Sequence, residues 1–105
     1  MEIIHCKNLK ARIDRGDDIQ VIDIREIHEV ETGNIGALHI PMAEVTSRLG
    51  EIRRDCPVVI HCRSGKRAKA MVHTLEAQYN FENLLLLDGG IQGWAREIDQ
   101  NLRVF

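Results

Sequence analysis

Aromatic residues make up only 4% of this 105-residue chain, with one tryptophan, one tyrosine and two phenylalanines, and there are only two prolines. No apolar run approaches the roughly 20 residues that cross a bilayer, so no integral membrane protein is expected. Cysteine is scarce: Cys6, Cys56 and Cys62 show no CxxC spacing. An odd number at irregular intervals points to a reducing, cytoplasmic setting rather than a disulfide framework. The five histidines, at positions 5, 28, 39, 61 and 73, form no HExxH or paired pattern, and no metal site is expected from them. The first residues lack a basic segment followed by an apolar stretch, so no signal peptide is read there.

Neither a strong net charge nor low-complexity sequence is present. The formal charge is −2, which gives no reason to expect nucleic-acid binding. Hydrophobic residues are 44% and charged residues 29%, the balance of a folded globule rather than a disordered chain. By size, residues 1–105 make one domain. The mild total charge hides an asymmetry. Arg63, Lys66, Arg67 and Lys69 stand together with no acid between His61 and Lys69. A solvated basic face is the ordinary meaning of such a run. Cations, however, favour helix C-termini, and this cluster opens a helix. That local conflict suggests a site for an anion.

Apolar patterning alternates between two periods. Ile3-Ile4 reads as a short edge strand, and residues 6–15 as an amphipathic helix with Cys6, Leu9 and Ile13 inward and Gly16 as its stop. Ile19 to Ile24 is a β-branched strand. The polar stretch 25–34 holds a helical turn, and Ala37-Leu38 pairs briefly as a strand. Pro41 suits the first turn of a helix, with Met42, Val45, Leu49 and Ile52 on one face. Pro57 to His61 is a buried strand. Ala68, Met71, Val72, Leu75 and Tyr79 mark the next helix, Leu84 to Leu87 a third apolar strand, and Ile91, Trp94 and Ile98 a short last helix. Continuous apolar strands between amphipathic helices predict an α/β fold: three layers, with a central, mostly parallel sheet covered on both faces. Ligand sites in such sheets lie beyond the carboxyl ends of the strands.

Cys62 stands at such an end. The loop Cys62-Arg63-Ser64-Gly65-Lys66-Arg67 runs from a strand into a helix N-terminus, where successive backbone N–H groups can form an anion nest. Gly65 permits the unusual backbone angles of such a turn. The helix dipole and the loop cations favour a thiolate over a thiol, the setting of an activated sulfur nucleophile. The bland alternative is a small buried hydrophobe, and that reading is given to Cys6, on the apolar face of the first helix, and to Cys56, in the turn before Pro57. His61 alternates with Cys62 along the strand, as a core residue or as a group that tunes the thiolate. His73 shares a solvated helix face with Lys69 and Glu76.

Three blocks of the chain resemble the rhodanese family of sulfurtransferases, single-domain type. They are Val21-Ile22-Asp23-Ile24-Arg25-Glu26, with Glu29 and Gly33 following; Val59 to Ala68 around Cys62; and Leu87-Asp88-Gly89-Gly90-Ile91-Gln92-Gly93-Trp94. The resemblance implies a rhodanese-like central parallel sheet, no cofactor, and Cys62 as the carrier of a persulfide. A small anionic donor such as thiosulfate would load it, and a thiol or cyanide, or a sulfur-accepting protein, would unload it. Arg63 and Lys66 are the candidates for the donor's sulfonate oxygens, with Ser64 giving a hydrogen bond and the 63–67 N–H groups, Gly65 included, cradling sulfur. Arg67 either joins them or pairs with Asp23 or Glu26 to hold the loop. Asp23 and Arg25 are expected as structural supports. One segment departs from the family: where relatives read Gly-His-Ile-Pro-Gly-Ala, this chain has Gly33-Asn34-Ile35-Gly36-Ala37-Leu38, expected as a loop. A phosphatase or arsenate reductase is the other enzyme class. Those phosphatases read Cys-x5-Arg, whereas four residues separate Cys62 from Arg67 here, a nest closed too tightly for a tetrahedral phosphate. A sulfur-delivery or non-catalytic binding module is the third class, against which Cys62 and its cations argue.

Overall fold

The computed structural model describes residues 1–104. Strand β1 (Glu2–Ile4) leads into helix α1 (Cys6–Asp14), then β2 (Gln20–Asp23), α2 (Ile27–Thr32) and β3 (Leu38–His39). After two 3-10 turns come β4 (Val58–His61), α3 (Lys66–Tyr79), β5 (Leu84–Leu87) and α4 (Gly90–Glu97). The five strands form one sheet in the order β1-β5-β4-β2-β3, every pair parallel. β4 lies at the centre and is buried along its whole length.

Alternation along the strands sorts the core into two layers. Val58 and Ile60 of β4, with Leu84 and Leu86 of β5, pack under Ala68, Met71, Val72 and Leu75 of α3. Val59 and Leu87 face the other way, onto Cys6 and Leu9 of α1 and Trp94 of α4. Burying a Leu such as Leu9 or Leu75 contributes roughly 1.5–3 kcal/mol, and both are fully enclosed. A sheet covered on both faces needs apolar residues at consecutive positions, which is why its strands read as unbroken apolar runs.

Helix α1 ends as its glycine dictates. Gly16 adopts φ +75°, and the Gly16 and Asp17 N–H groups bond back to the Ile13 and Arg12 carbonyls at 3.0 Å each, closing the last turn. The expected helix after Pro41 is corrected. Residues 42–51 hold two 3-10 turns, Met42–Ser47 and Leu49–Glu51. Val45 and Ile52 are buried as expected, but spacings of three and four residues fit a 3-10 turn as well as an α-helix. The Ser47 hydroxyl donates to the Glu44 carbonyl at 2.9 Å, and Gly50 further weakens an α-helix here. The third strand is Leu38–His39, one residue later than expected. Residues 33–37 of the departing segment are a loop, as expected, and Leu38 opens β3: Asn34 Oδ1 accepts the Gly36 N–H at 3.0 Å while its Nδ2 donates to the Val30 carbonyl at 3.2 Å.

Candidate active loop

Cys62 follows the last residue of β4, and its side chain is 1% exposed. Its Sγ accepts two backbone N–H groups, from Gly65 at 3.2 Å and Ala68 at 3.4 Å. Both donors belong to the start of α3, so the sulfur sits at the positive end of a 14-residue helix. Gly65 caps that helix with φ +117°, a conformation that L side chains rarely adopt. Cys6 behaves oppositely. Its Sγ donates to the Asp88 carbonyl at 3.7 Å, and burial, with Glu97 and Asp88 nearby, pushes its thiol up. Cys56 is buried before Pro57.

The five residues after Cys62 take different stations. Arg63, Ser64 and Lys66 are exposed, and Gly65 and Arg67 are half-buried. Neither of the acids expected for Arg67 is its partner. The Arg67 guanidinium donates from both terminal nitrogens to Glu29, at 2.8 and 2.9 Å. Glu29 also accepts the Glu26 N–H at 3.2 Å, at the first turn of α2. The arginine holds the Glu29 carboxyl at about 2, well below its ordinary 4.5. Glu29 lies one helical turn beyond Glu26, and only its place in the first family-like block marks it in the sequence.

Behind this pair lies a second, fully buried one. Arg25 and Asp23 are 0% and 1% exposed. Arg25 donates to the Asp23 carboxylate, at 2.7 Å through its closest nitrogen, and to the Glu29 and Gly33 carbonyls at 3.3 and 2.8 Å. Burial opposes ionisation of Asp23, but the Arg25 hydrogen bonds outweigh it and lower its pKa. These are the structural supports expected of Asp23 and Arg25. His61 is fully buried, as a core residue. Burial pushes its pKa down against the pull of Asp23, whose Oδ2 is 3.8 Å from Nε2.

The turn after β5 holds the loop from the other side. The Ile91 N–H donates to the Cys62 carbonyl at 2.9 Å and the Gln92 N–H to the Arg63 carbonyl at 3.0 Å. Gly90 makes this possible. Its φ is +57°, and a Cβ there would stand 2.5 Å from the Arg63 carbonyl oxygen and 2.7 Å from that of Cys62. In the sequence, Asp88-Gly89-Gly90 follows the last apolar strand and belongs to the third family-like block, and its paired glycines before a helix are the signal of a close backbone approach.

A cleft of about 600 Å³ opens beside the loop, reaching Ser64, Gly65 and Lys66 at one end and His73 along α3. Among the described residues no three His, Cys, Asp or Glu side chains gather as metal ligands, and no helix is long and apolar enough to cross a membrane. The arrangement, a sulfur at a helix N-terminus among backbone donors and cations, suits a nucleophile that meets an anion.

The chain matches the family described as Rhodanese-like domain over residues 5–97 and belongs to it. It is 38% identical over 95 residues to a protein named "Sulfurtransferase" from Allochromatium vinosum, covering 89% of this chain and 87% of that one. It is 30% identical over 93 residues to the Bacillus subtilis protein named "Putative sulfur carrier protein YrkF", of which it spans only 50% while 88% of this chain is covered. In three dimensions it resembles a rhodanese-like domain protein from Staphylococcus aureus with a TM-score of 0.83 at 27% identity, covering 100% of this chain and 99% of that one. A rhodanese-like domain with sulfurtransferase relatives is thus the class that fold and loop define.

Proposed function

We propose that this chain is a sulfurtransferase that carries sulfane sulfur on Cys62. The Cys62 thiolate attacks the outer sulfur of a donor such as thiosulfate. A sulfur–sulfur bond forms at Sγ, the donor's own sulfur–sulfur bond breaks, and sulfite leaves with that electron pair. A thiolate or cyanide then takes the terminal sulfur, and Cys62 returns to the thiolate. The convergence of the Gly65 and Ala68 N–H groups on Sγ carries this reading, because fixed backbone dipoles stabilise negative sulfur without reorganising. Arg63 and Lys66, exposed at the mouth, are the proposed sulfonate ligands. Arg67 is proposed to keep the loop in shape, because its guanidinium is already held by Glu29, and Ser64 adds one donor at the rim. The spacing of Cys62 and Arg67 argues against a phosphatase. The relative named as a sulfur carrier supports delivery to a protein acceptor as the form this activity takes in the cell.

The test is intact and peptide-level mass after incubation with thiosulfate. One sulfur atom is expected on Cys62 and none on Cys6 or Cys56, and Cys62→Ala should abolish transfer to cyanide while the fold persists. An adduct on another cysteine, or substantial turnover in that variant, removes the mechanism.

A further inference from the structure

The sheet has an open edge at β1. The Ile4 carbonyl accepts the Asp88 N–H at 2.9 Å, so the amide groups of Ile4 face β5. Successive residues of a strand turn their N–H and C=O to opposite sides, and those of Ile3 therefore face away from the sheet. β1 is the outermost strand, and among the described residues it pairs with β5 alone. Ile3 is 56% exposed, more than any other large apolar side chain among the described residues. An unpaired edge of this kind is a template for another strand. Clefts flank it on both faces of the sheet. One, of about 600 Å³, runs along α3, with Ile3, Leu86, Lys69 and His73 in its lining. The other, of about 350 Å³, runs along α1, with Ile3, Ile4, Arg12 and Arg15 in its lining.

Both clefts are basic. Lys69 enters no ion pair among the described residues, and the one acid in its cleft, Asp88, lies 3.2 Å from His5 Nδ1. Arg12 and Arg15 share a single acid, Asp17, at 3.7 and 2.7 Å, and no acid lines their cleft. A second copy paired edge to edge through β1 would set α3 beside α3 and α1 beside α1, cation against cation, which is repulsive. The charge therefore selects a different occupant. We propose that the open edge of β1 receives an extended, acidic segment of a partner protein as a sixth strand. Its backbone bonds to the Ile3 N–H and C=O. Side chains of the added strand alternate between the two faces. The one opposite Ile3 is apolar and packs on Ile3 and Leu86, its two neighbours are acids that meet Arg12 and Arg15, and an acid one step further along the first face meets Lys69. Main-chain bonds supply affinity in such a complex and the flanking clefts supply specificity. The site does not depend on sulfur chemistry, since Cys62 lines neither cleft.

The test is a selection of random linear peptides displayed on phage against the whole chain, followed by titration of the ¹⁵N-labelled chain with the enriched peptide. Enrichment of sequences in which acids flank an apolar residue is expected, with amide shifts centred on Ile3 and slowed hydrogen exchange of its N–H. Ile3→Pro removes that N–H and no bond to β5, and proline is tolerated on an edge strand. It should weaken binding about tenfold, the scale of one lost backbone hydrogen bond with its partner left unpaired, and keep the melting temperature within a few degrees. Lys69→Ala and Arg12→Ala test the two faces without touching the strand. Each should weaken binding about two- to fivefold, the scale of one exposed ion pair, and added salt should shrink both effects. Cys62→Ala should bind as wild type does, whatever the fate of the sulfurtransferase reading. Enrichment without acids, shifts centred away from Ile3, or binding that survives Ile3→Pro or both alanine variants unchanged overturns the proposal.

Discussion

Replacing Glu29 with glutamine tests what holds the loop. Glu29 is 8% exposed and takes both terminal nitrogens of Arg67. Those hydrogen bonds, working against burial, hold its carboxyl at about 2 instead of 4.5. By linkage that interval corresponds to roughly 3 kcal/mol at neutral pH, at about 1.4 kcal/mol per pH unit. The Arg67 side chain is 35% exposed, and screening there lowers the expected loss to about 1–2 kcal/mol. Glutamine keeps the volume and an oxygen for the Glu26 N–H, so the charge is the main thing removed. The sign follows from the direction of the shift. The folded value lies below the unfolded one, so the pair's contribution is whole above about pH 4.5 and is lost as pH falls towards 2. Urea unfolding of wild type and Glu29→Gln should show the full gap at pH 7 and a closing gap below pH 4.5. A gap that stays constant down to pH 3, or none at pH 7, refutes the reasoning. Sulfur loading of Cys62 at pH 7 should slow in the same variant, because Arg67 lies in the first turn of α3.

Gly90→Ala should lower the melting temperature and impair sulfur loading, since the left-handed φ costs ~1–3 kcal/mol and the new Cβ meets the Arg63 carbonyl. Gly36→Ala is the control: its φ is +82° but nothing lies within 4 Å of the added Cβ, so it should lose stability and keep loading. Lys66→Ala should reduce kcat/KM for thiosulfate about fivefold, mostly through KM. The side chain is exposed, so screening trims the ~1.5–3 kcal/mol of a charge-assisted hydrogen bond to about 1. Added salt should shrink the difference, and kinetics at two ionic strengths check it.

The sheet was legible because parallel strands buried on both faces leave unbroken apolar runs such as Val58-Val59-Ile60 and Leu84 to Leu87. The position of Cys62 was legible for the same reason: where such a run stops at Arg-Ser-Gly, the chain has reached the carboxyl edge of the sheet. The supports of the loop were harder to read. Glu29 meets Arg67 across 38 residues of sequence, and no local periodicity encodes which of several acids in 23–31 points at it. The 3-10 turns at 42–51 differ from the expected helix because four apolar residues at three- and four-residue spacing satisfy two periods at once. Gly90 was hidden because its role depends on a backbone that arrives from residues 62 and 63. What sequence reading misses here is long-range pairing of backbone and charge, as against local pattern.

The two clamps on the loop amount to one electrostatic device. In a trans peptide the C=O and the N–H point in opposite directions. The Cys62 and Arg63 carbonyls are turned towards α4, where the Ile91 and Gln92 N–H groups take them. The N–H groups of the same two peptides, on Arg63 and Ser64, therefore point away from α4. The Cys62 side chain belongs to the core layer under α3, opposite the layer that holds Trp94 of α4. Its Sγ is met from its own side by the Gly65 and Ala68 N–H groups. One helix N-terminus thus faces the sulfur, and the other occupies the carbonyls that would repel it. In the proposed persulfide the Arg63 and Ser64 N–H groups, which enter no hydrogen bond among the described residues, are the donors of the loop left to receive negative charge. That is why a methyl group at Gly90, which touches no sulfur, is expected to damage sulfur transfer: it rotates the peptides whose opposite ends form the nest.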